Sequence, residues 1–146
     1  MACGYNTSDI RYWLALKFVP RLAVHKKRAL VERFGLVELF NLPNETLKAL
    51  SLTEKQVVTI LSPDWHRVDA VIASCKRLSV AIVGFDQHNY PKLLKEIYDP
   101  PLVLFVKGNA QLLNLPQLAI VGSRSSSVNG RESANSLAQQ LSSDLV

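Results

Sequence analysis

Apolar side chains recur every three or four residues along the first 79 positions of the chain, a spacing typical of amphipathic helices. Thr53-Glu54-Lys55-Gln56 has the form of a capping box, in which the two outer side chains satisfy free backbone N–H groups. Start and stop signals delimit five helices. The first is capped by Thr7, Ser8 or Asp9 and ends near Pro20, and the second runs from about 23 to 34 and is closed by Gly35. The third is capped by Asn44 and runs through Leu50, and the last two are led by Thr53 and Asp64. The sequence predicts a helical module over residues 1–79.

After Leu78 the pattern changes to short, continuous apolar runs rich in β-branched residues. Runs at 79–83, 102–106 and 118–121 have turn residues around them, as strands covered on both faces have. A short helix is predicted over 90–97, and a last helix is predicted from about Gly130. The pattern predicts that residues 80–146 begin an α/β domain with a parallel sheet, with a boundary near residue 79.

The junction between the third strand and the last helix contains candidate chemistry. A buried strand that ends in glycine and enters a helix through small residues directs backbone N–H groups and the positive end of the helix dipole toward an anion. Gly122 would permit a sharp turn or a close backbone approach, Ser123 and Ser127 offer hydroxyls, Arg124 adds a planar fork of donors, and Gly130 lets the helix start pack closely. Neither the dinucleotide fingerprint nor a Walker loop is present. An anion site and a purely structural turn both fit these residues.

Charge is unevenly distributed along the chain. Residues 1–80 contain twelve basic and seven acidic residues, an excess of five, whereas residues 81–146 are balanced at five each. Within the basic half, residues 17–33 carry six Lys and Arg against a single acid, Glu32. Such a run is either a solvated helix face or a contact for a nucleic-acid backbone.

Composition excludes several classes of protein. The chain has 146 residues, 48% hydrophobic and 20% charged, which is an ordinary globular balance. Cys3 and Cys75 lie far apart, so neither a disulfide framework nor a zinc site is indicated. No apolar run approaches the roughly 20 residues that span a bilayer, and no export signal begins the chain, so we expect a cytoplasmic protein without membrane contacts. His25, His66 and His88 fall in no catalytic motif, and neither a catalytic residue nor a cofactor is predicted.

The second half of the chain strongly resembles the DNA-processing protein A family, also called DprA or Smf. The resemblance rests on the order and spacing of YPKLLKEIYDPP at 90–101, the apolar run at 102–106 with Gly108 after it, AIVGSR at 119–124, and Gly130. The helical half is similar to the small SAM-like domain of that family, which is related to helix-hairpin-helix modules and contains a helix pair ending in Phe-Gly, here Phe34-Gly35. Val128 and Asn129 depart from the family pattern, which often has a proline and an aromatic residue there.

The resemblance implies a recombination mediator of natural transformation in bacteria that binds single-stranded DNA, helps to load RecA and is not a catalyst. It implies an extended Rossmann-like domain that forms homodimers, and phosphate contacts from Gly122, Ser123, Arg124, Ser127 and Gly130. Tyr90 is expected to pack against the sheet. An enzyme such as a nucleotide phosphoribohydrolase is the alternative, because related folds place a similar turn under a nucleotide phosphate.

Family members are longer than this chain, so we expect a fragment that holds only the beginning of the Rossmann-like domain. The missing part is expected to hold much of the DNA groove and the dimer and RecA surfaces. A sheet of three strands leaves an edge or a face uncovered, which predicts association through it or limited stability.

Overall fold

The structure is a computed structural model that describes residues 7–144. The chain divides into two compact units, one reaching Leu115 and the other starting at Pro116. None of the helices within the described residues is long and apolar enough to cross a membrane.

The first unit begins with the five helices that the sequence predicts. A 3₁₀ turn at Glu38–Asn41, which the sequence pattern does not predict, lies between the second and third of them. The helices are α1 (Thr7–Phe18), α2 (Val24–Phe34), α3 (Asn44–Ala49), α4 (Glu54–Leu61) and α5 (Trp65–Arg77).

The helix ends form where local chemistry places them. Gly35 has a φ of 85° and its N–H donates to Val31 O at 2.8 Å, which closes α2 in a conformation that favours glycine. Thr53 and Gln56 form both bonds of the capping box, and Asp64 Oδ1 accepts from Arg67 N at 2.9 Å. These three predictions are confirmed. The predicted cap at Asn44 is wrong, because Asn44 is the first residue of α3 and Pro43, which has no capping side chain, precedes it.

A two-stranded sheet follows the helices. Strand β1 (Val80–Gly84) pairs with β2 (Val103–Lys107) in antiparallel register, from Val80 opposite Lys107 to Gly84 opposite Val103. The single-turn helix α6 (Lys92–Lys95) lies in the connection, and a 3₁₀ helix at Ala110–Asn114 follows β2.

The prediction of parallel pairing is wrong for these two strands, and the two ends of their connection show why. Phe85, directly after β1, donates its N–H to the carbonyl oxygen of Leu102, directly before β2, at 2.9 Å. The chain therefore re-enters the sheet at the end from which it left, and a strand that starts there runs antiparallel to β1. The strands are also not fully covered on both faces, since Phe105 is 46% exposed.

Tyr90 joins the two ends of the connection between the strands. Its side chain is buried, its ring packs 5.2 Å from that of Phe85, and its hydroxyl donates to Pro101 O at 2.7 Å. Burial raises the pKa of Tyr90, with an opposing effect from Arg28, so the hydroxyl remains a donor. The expected packing role of Tyr90 is confirmed.

Helices and sheet share one hydrophobic core in this first unit. Leu14 and Ile60 of the helices and Leu102 and Val103 beside or within β2 belong to the same buried cluster. Residue 79 therefore marks a change of secondary structure but no gap in the packing. The division into domains 1–79 and 80–146 remains a prediction.

Lys27 is buried without a carboxylate partner among the described residues. It is 5% exposed, and its Nζ donates to Lys17 O, in the last turn of α1, at 3.0 Å. Desolvation, with a smaller effect of Lys17, lowers the pKa of Lys27 from 10.5 to about 8. The folded chain therefore binds this proton less tightly than the unfolded chain does.

We expect Lys27→Met to raise the free energy of unfolding at pH 7 by about 1 kcal/mol, because the desolvation penalty disappears while one hydrogen bond is lost. The penalty in the native chain is fully present below pH 8 and fades as the pH rises from about 8 to 10.5. Urea denaturation should therefore show that the difference in free energy of unfolding between the variant and the native chain shrinks as the pH rises through that range. Exposed Lys26→Met is the control, and an advantage that stays constant with pH contradicts the argument.

The second unit contains an extended segment followed by the helix α7 (Val128–Asp144). The predicted strand at 118–121 is absent from the described residues, and its side chains Leu118 and Val121 are 66% and 90% exposed. A strand exists only where a neighbour accepts its backbone hydrogen bonds, and no described segment pairs with this one. The predicted buried strand is therefore not observed in this structure, whereas the helix after it is confirmed.

Candidate nucleic-acid interface

The five predicted site residues lie together in one exposed turn and the first turn of α7. Gly122, Ser123, Arg124, Ser127 and Gly130 are all exposed to solvent. Their proximity follows from their closeness in sequence and from the start of α7 at Val128.

Ser127 caps α7. Its Oγ accepts from Gly130 N at 3.1 Å, and its carbonyl accepts from Arg131 N at 3.1 Å. A Cβ added at Gly130 would lie 3.2 Å from that Oγ, a contact tighter than most. Glycine at 130 therefore allows the serine cap to sit close to the helix, and the Ser127 hydroxyl keeps its own proton for a ligand.

Ser123 organises the start of the turn, whereas Gly122 has no steric role in this chain. Ser123 Oγ accepts from Ser125 N at 3.2 Å, a local side-chain turn. No described atom lies within 4 Å of a Cβ built on Gly122, and its φ lies outside the left-handed region. The expected sharp turn at Gly122 is not observed. The open space leaves room for a ligand to approach the backbone.

A concavity of about 450 Å³ lies against the turn. Arg124 is not among its lining residues, whereas Arg131 and Ser126, which were not predicted as site residues, line it. Arg131 follows Ser127 by four residues, which places both on one face of the helix start. This four-residue spacing is the feature of the sequence from which Arg131 could have been predicted as part of the site. The lining residues are Ile120, Val121, Gly122, Ser123, Ser126, Ser127, Gly130, Arg131 and Ala134.

The electrostatics of the turn favour an anion. Among residues 9–141, whose side chains the structure describes, no carboxylate forms an ion pair with Arg124 or Arg131. The N-terminus of the 17-residue helix α7 adds a partial positive charge at the same place. The turn therefore presents two guanidinium groups, serine hydroxyls and a helix N-terminus to solvent.

The basic segment 17–33 does not form one face. Lys27 is buried, and the Arg28 guanidinium lies 4.5 Å from the centre of the Phe85 ring. Arg21, Lys26 and Arg33 line a separate cleft. Lys17 is exposed as well. The two interpretations of this segment, a solvated face or a phosphate contact, therefore apply to these four exposed residues and not to Lys27.

The histidines gather into no catalytic group. The ring of His25 lies 5.9 Å from that of Tyr98, and no described cluster of His, Cys, Asp or Glu is arranged to hold a metal ion. Cys75 is buried, which raises the pKa of its thiol and so lowers the fraction present as the reactive thiolate.

Two family models match the chain in succession. The SMF/DprA SAM domain matches residues 7–73, and the DNA recombination-mediator protein A family matches residues 81–146, including the whole exposed turn. The chain belongs to the DprA/Smf family. The second match begins at β1 and continues across the division between the two compact units at Leu115.

Curated DprA/Smf relatives agree with this assignment. The DNA processing protein DprA of Streptococcus pneumoniae is 49% identical over 57 residues, 39% of this chain, and that of Bacillus subtilis is 33% identical over 78 residues, 53% of the chain. Protein Smf of Borreliella burgdorferi is 38% identical over 86 residues, 59% of the chain. The matched segments span only 20%, 26% and 21% of these relatives, respectively. No solved structure gives a significant match.

Proposed function

We propose that this DprA/Smf protein is a single-stranded DNA-binding recombination mediator that contacts the sugar-phosphate backbone through Gly122, Ser123, Arg124, Ser127 and Gly130. The observation that carries the proposal is the exposed Arg124 guanidinium, without an ion-pair partner among the described residues, beside the N-terminus of α7. It is supported by the family match across this turn.

The turn offers phosphate oxygens three kinds of donor. Arg124 supplies a planar fork that matches two oxygens at once, and the Ser127 hydroxyl supplies a proton that its capping role leaves unused. The open space beside Gly122 admits a phosphate to the backbone. None of these donors reads a base, so the contact positions a strand without selecting its sequence.

The proposal extends to the complete fold and activity of the family. In a Rossmann-like parallel sheet, residues 118–121 would be a covered strand, and their exposed Leu118, Ile120 and Val121 side chains support this. RecA loading, homodimer formation, a cytoplasmic location, the absence of catalysis and a domain boundary near residue 79 belong to the same proposal. The DprA/Smf relatives support it, and the segments that match this chain span 20–26% of their length.

We expect Arg124→Ala to weaken binding of a labelled oligo(dT) and to flatten its salt dependence. For single strands, log affinity falls with log salt with a slope of about −0.7 per phosphate contacted, so the loss of one contact reduces the slope by about 0.7. Fluorescence anisotropy across a salt series measures both quantities. Arg124→Lys, which keeps the charge but loses the planar fork, should restore the slope more fully than the affinity.

Lys107→Ala is the matched control, since Lys107 is an exposed cation on β2 in the other compact unit. If Arg124→Ala leaves the slope of log affinity against log salt unchanged and Lys107→Ala reduces it, the DNA contact lies outside the Arg124 turn. Saturable binding of a mononucleotide with release of its base would favour the phosphoribohydrolase alternative instead.

A further inference from the structure

A second concave surface lies in the first unit, between α2 and the loop that joins α3 to α4. It has a volume of about 510 Å³, within the range of roughly 300–1,000 Å³ typical of ligand sites. A space of this size accommodates a few side chains of a short segment. We call it the α2 cleft.

The floor of the α2 cleft is aliphatic. Leu22 is buried, and Leu30, Leu50 and Leu52 are partly buried against the main core. One side of these leucines packs internally while the other faces the cleft. An occupant with apolar side chains would extend the core outward and remove this surface from water.

The rim of the α2 cleft is basic. Arg21, Lys26 and Arg33 all line it and are exposed, and its lining residues, all within the described chain, include no acid. Within residues 9–141, the part of the chain with described side chains, none of the three forms an ion pair with a carboxylate. Lys26 and Arg33 are seven residues apart on α2, which places them on one face about 10 Å from each other.

The chemistry of the α2 cleft distinguishes a peptide from DNA. Surfaces that bind single strands without regard to sequence combine cations with aromatic rings on which bases stack. None of the described residues that line this cleft is aromatic. A leucine floor between cations instead complements a segment in which aliphatic or phenyl side chains alternate with carboxylates.

We propose that the α2 cleft is a docking site for a short acidic segment of a partner protein, with its apolar side chains on the leucine floor and its carboxylates paired with Arg21, Lys26 and Arg33. This site is separate from the Arg124 turn and does not rest on the DNA-binding proposal. The two proposals therefore succeed or fail independently.

The test uses the purified 146-residue chain and a fluorescein-labelled peptide, Asp-Glu-Leu-Asp-Asp-Leu-Phe-Asp-Glu. We expect saturable binding by anisotropy that weakens with added salt, as rim charges predict. A peptide with Ser in place of Leu and Phe tests the floor, and one with Asn and Gln in place of the acids tests the rim. Each should bind at least about tenfold more weakly than the parent.

Two variants of the protein locate the site. Lys26→Glu combined with Arg33→Glu should reduce affinity at least about tenfold, whereas Lys107→Glu, a charge reversal on β2, should leave it unchanged. Ala29→Trp fills the cleft from an exposed position on α2, and Ala70→Trp makes the same change at an exposed position on α5 outside the cleft. Circular dichroism confirms that each variant is folded before it is compared.

Loss of binding in Ala29→Trp and retention in Ala70→Trp support the proposal. The absence of saturable binding overturns it, and so does binding that the cleft variants leave unchanged. If oligo(dT) displaces the peptide, and the double charge reversal weakens oligo(dT) as much as the peptide, the cleft is a nucleic-acid surface and the proposal is also overturned.

Discussion

Gln56→Leu is expected to lower the free energy of unfolding by about 2–4 kcal/mol, because it leaves several buried polar groups without partners. Gln56 is 5% exposed, and its Nε2 donates to Pro20 O at 3.0 Å and Arg21 O at 3.1 Å. Its Oε1 accepts from Thr53 N at 3.0 Å. One side chain thus ties the α1–α2 turn to the start of α4, and urea denaturation followed by circular dichroism measures the loss.

Thr53→Ala is the matched control for this prediction. It removes only the other half of the capping box, in which Thr53 Oγ1 accepts from Gln56 N at 3.4 Å, so it should cost about 1 kcal/mol or less. Equal losses in the two variants would show that Gln56 acts only as a helix cap. A larger loss in Gln56→Leu assigns the difference to the bonds with the α1–α2 turn.

The same bonds give the α2 cleft its shape. Arg21 has a φ of 51°, a conformation unusual for arginine, and its carbonyl is one of the two that Gln56 holds. Arg21 lines the cleft beside Gln56 itself. The tie therefore fixes the position of one of the three rim cations, and weakening it is expected to weaken peptide binding as well.

Helix boundaries were predictable because their determinants are local. Gly35, the Thr53–Gln56 box and Asp64 each act within four residues of their own position. The Arg124 turn was predictable for the same reason, since its five residues lie within nine consecutive positions. Arg131 lines the concavity beside the turn but lies one residue beyond Gly130, where the motif ends, so the motif does not predict it.

Strand pairing and burial depend on residues far apart in the chain, so the sequence pattern did not predict the strand direction or which basic residue is buried. The apolar runs located β1 and β2 within one residue but did not reveal that the connection between them returns to the same end of the sheet, which makes the pair antiparallel. In the basic segment, Lys27 and Lys26 are neighbours of the same type, yet one is buried over the end of α1 and the other lines a cleft. Only the packing of α2 distinguishes them.

Trp13→Ala is expected to lower the free energy of unfolding by about 3–5 kcal/mol, the range for a large buried aromatic side chain. Trp13 is 2% exposed and belongs to α1, but its partners lie in the strand region. Its Nε1 donates to Asp86 Oδ1 at 2.7 Å, and a Cβ built on Gly84 would lie 2.9 Å from its Cδ1. Trp13 therefore joins the segment that matches the SAM domain to the start of the segment that matches the recombination-mediator family.

Amide hydrogen exchange shows which elements Trp13→Ala destabilises. If the two segments share one core, Trp13→Ala should raise amide hydrogen exchange in β1 and in α5 together, because both open in one cooperative transition. Trp65→Ala is the control: Trp65 packs 5.3 Å from Tyr12 and contacts rings of the helical segment, so its removal tests that segment without touching Asp86 or Gly84. Exchange that rises in α5 and stays unchanged in β1 after Trp13→Ala would separate the strands from the helices near residue 79. A joint rise would mean that the helical module and the first two strands fold as one unit, to which the Arg124 turn is attached through the chain after Leu115.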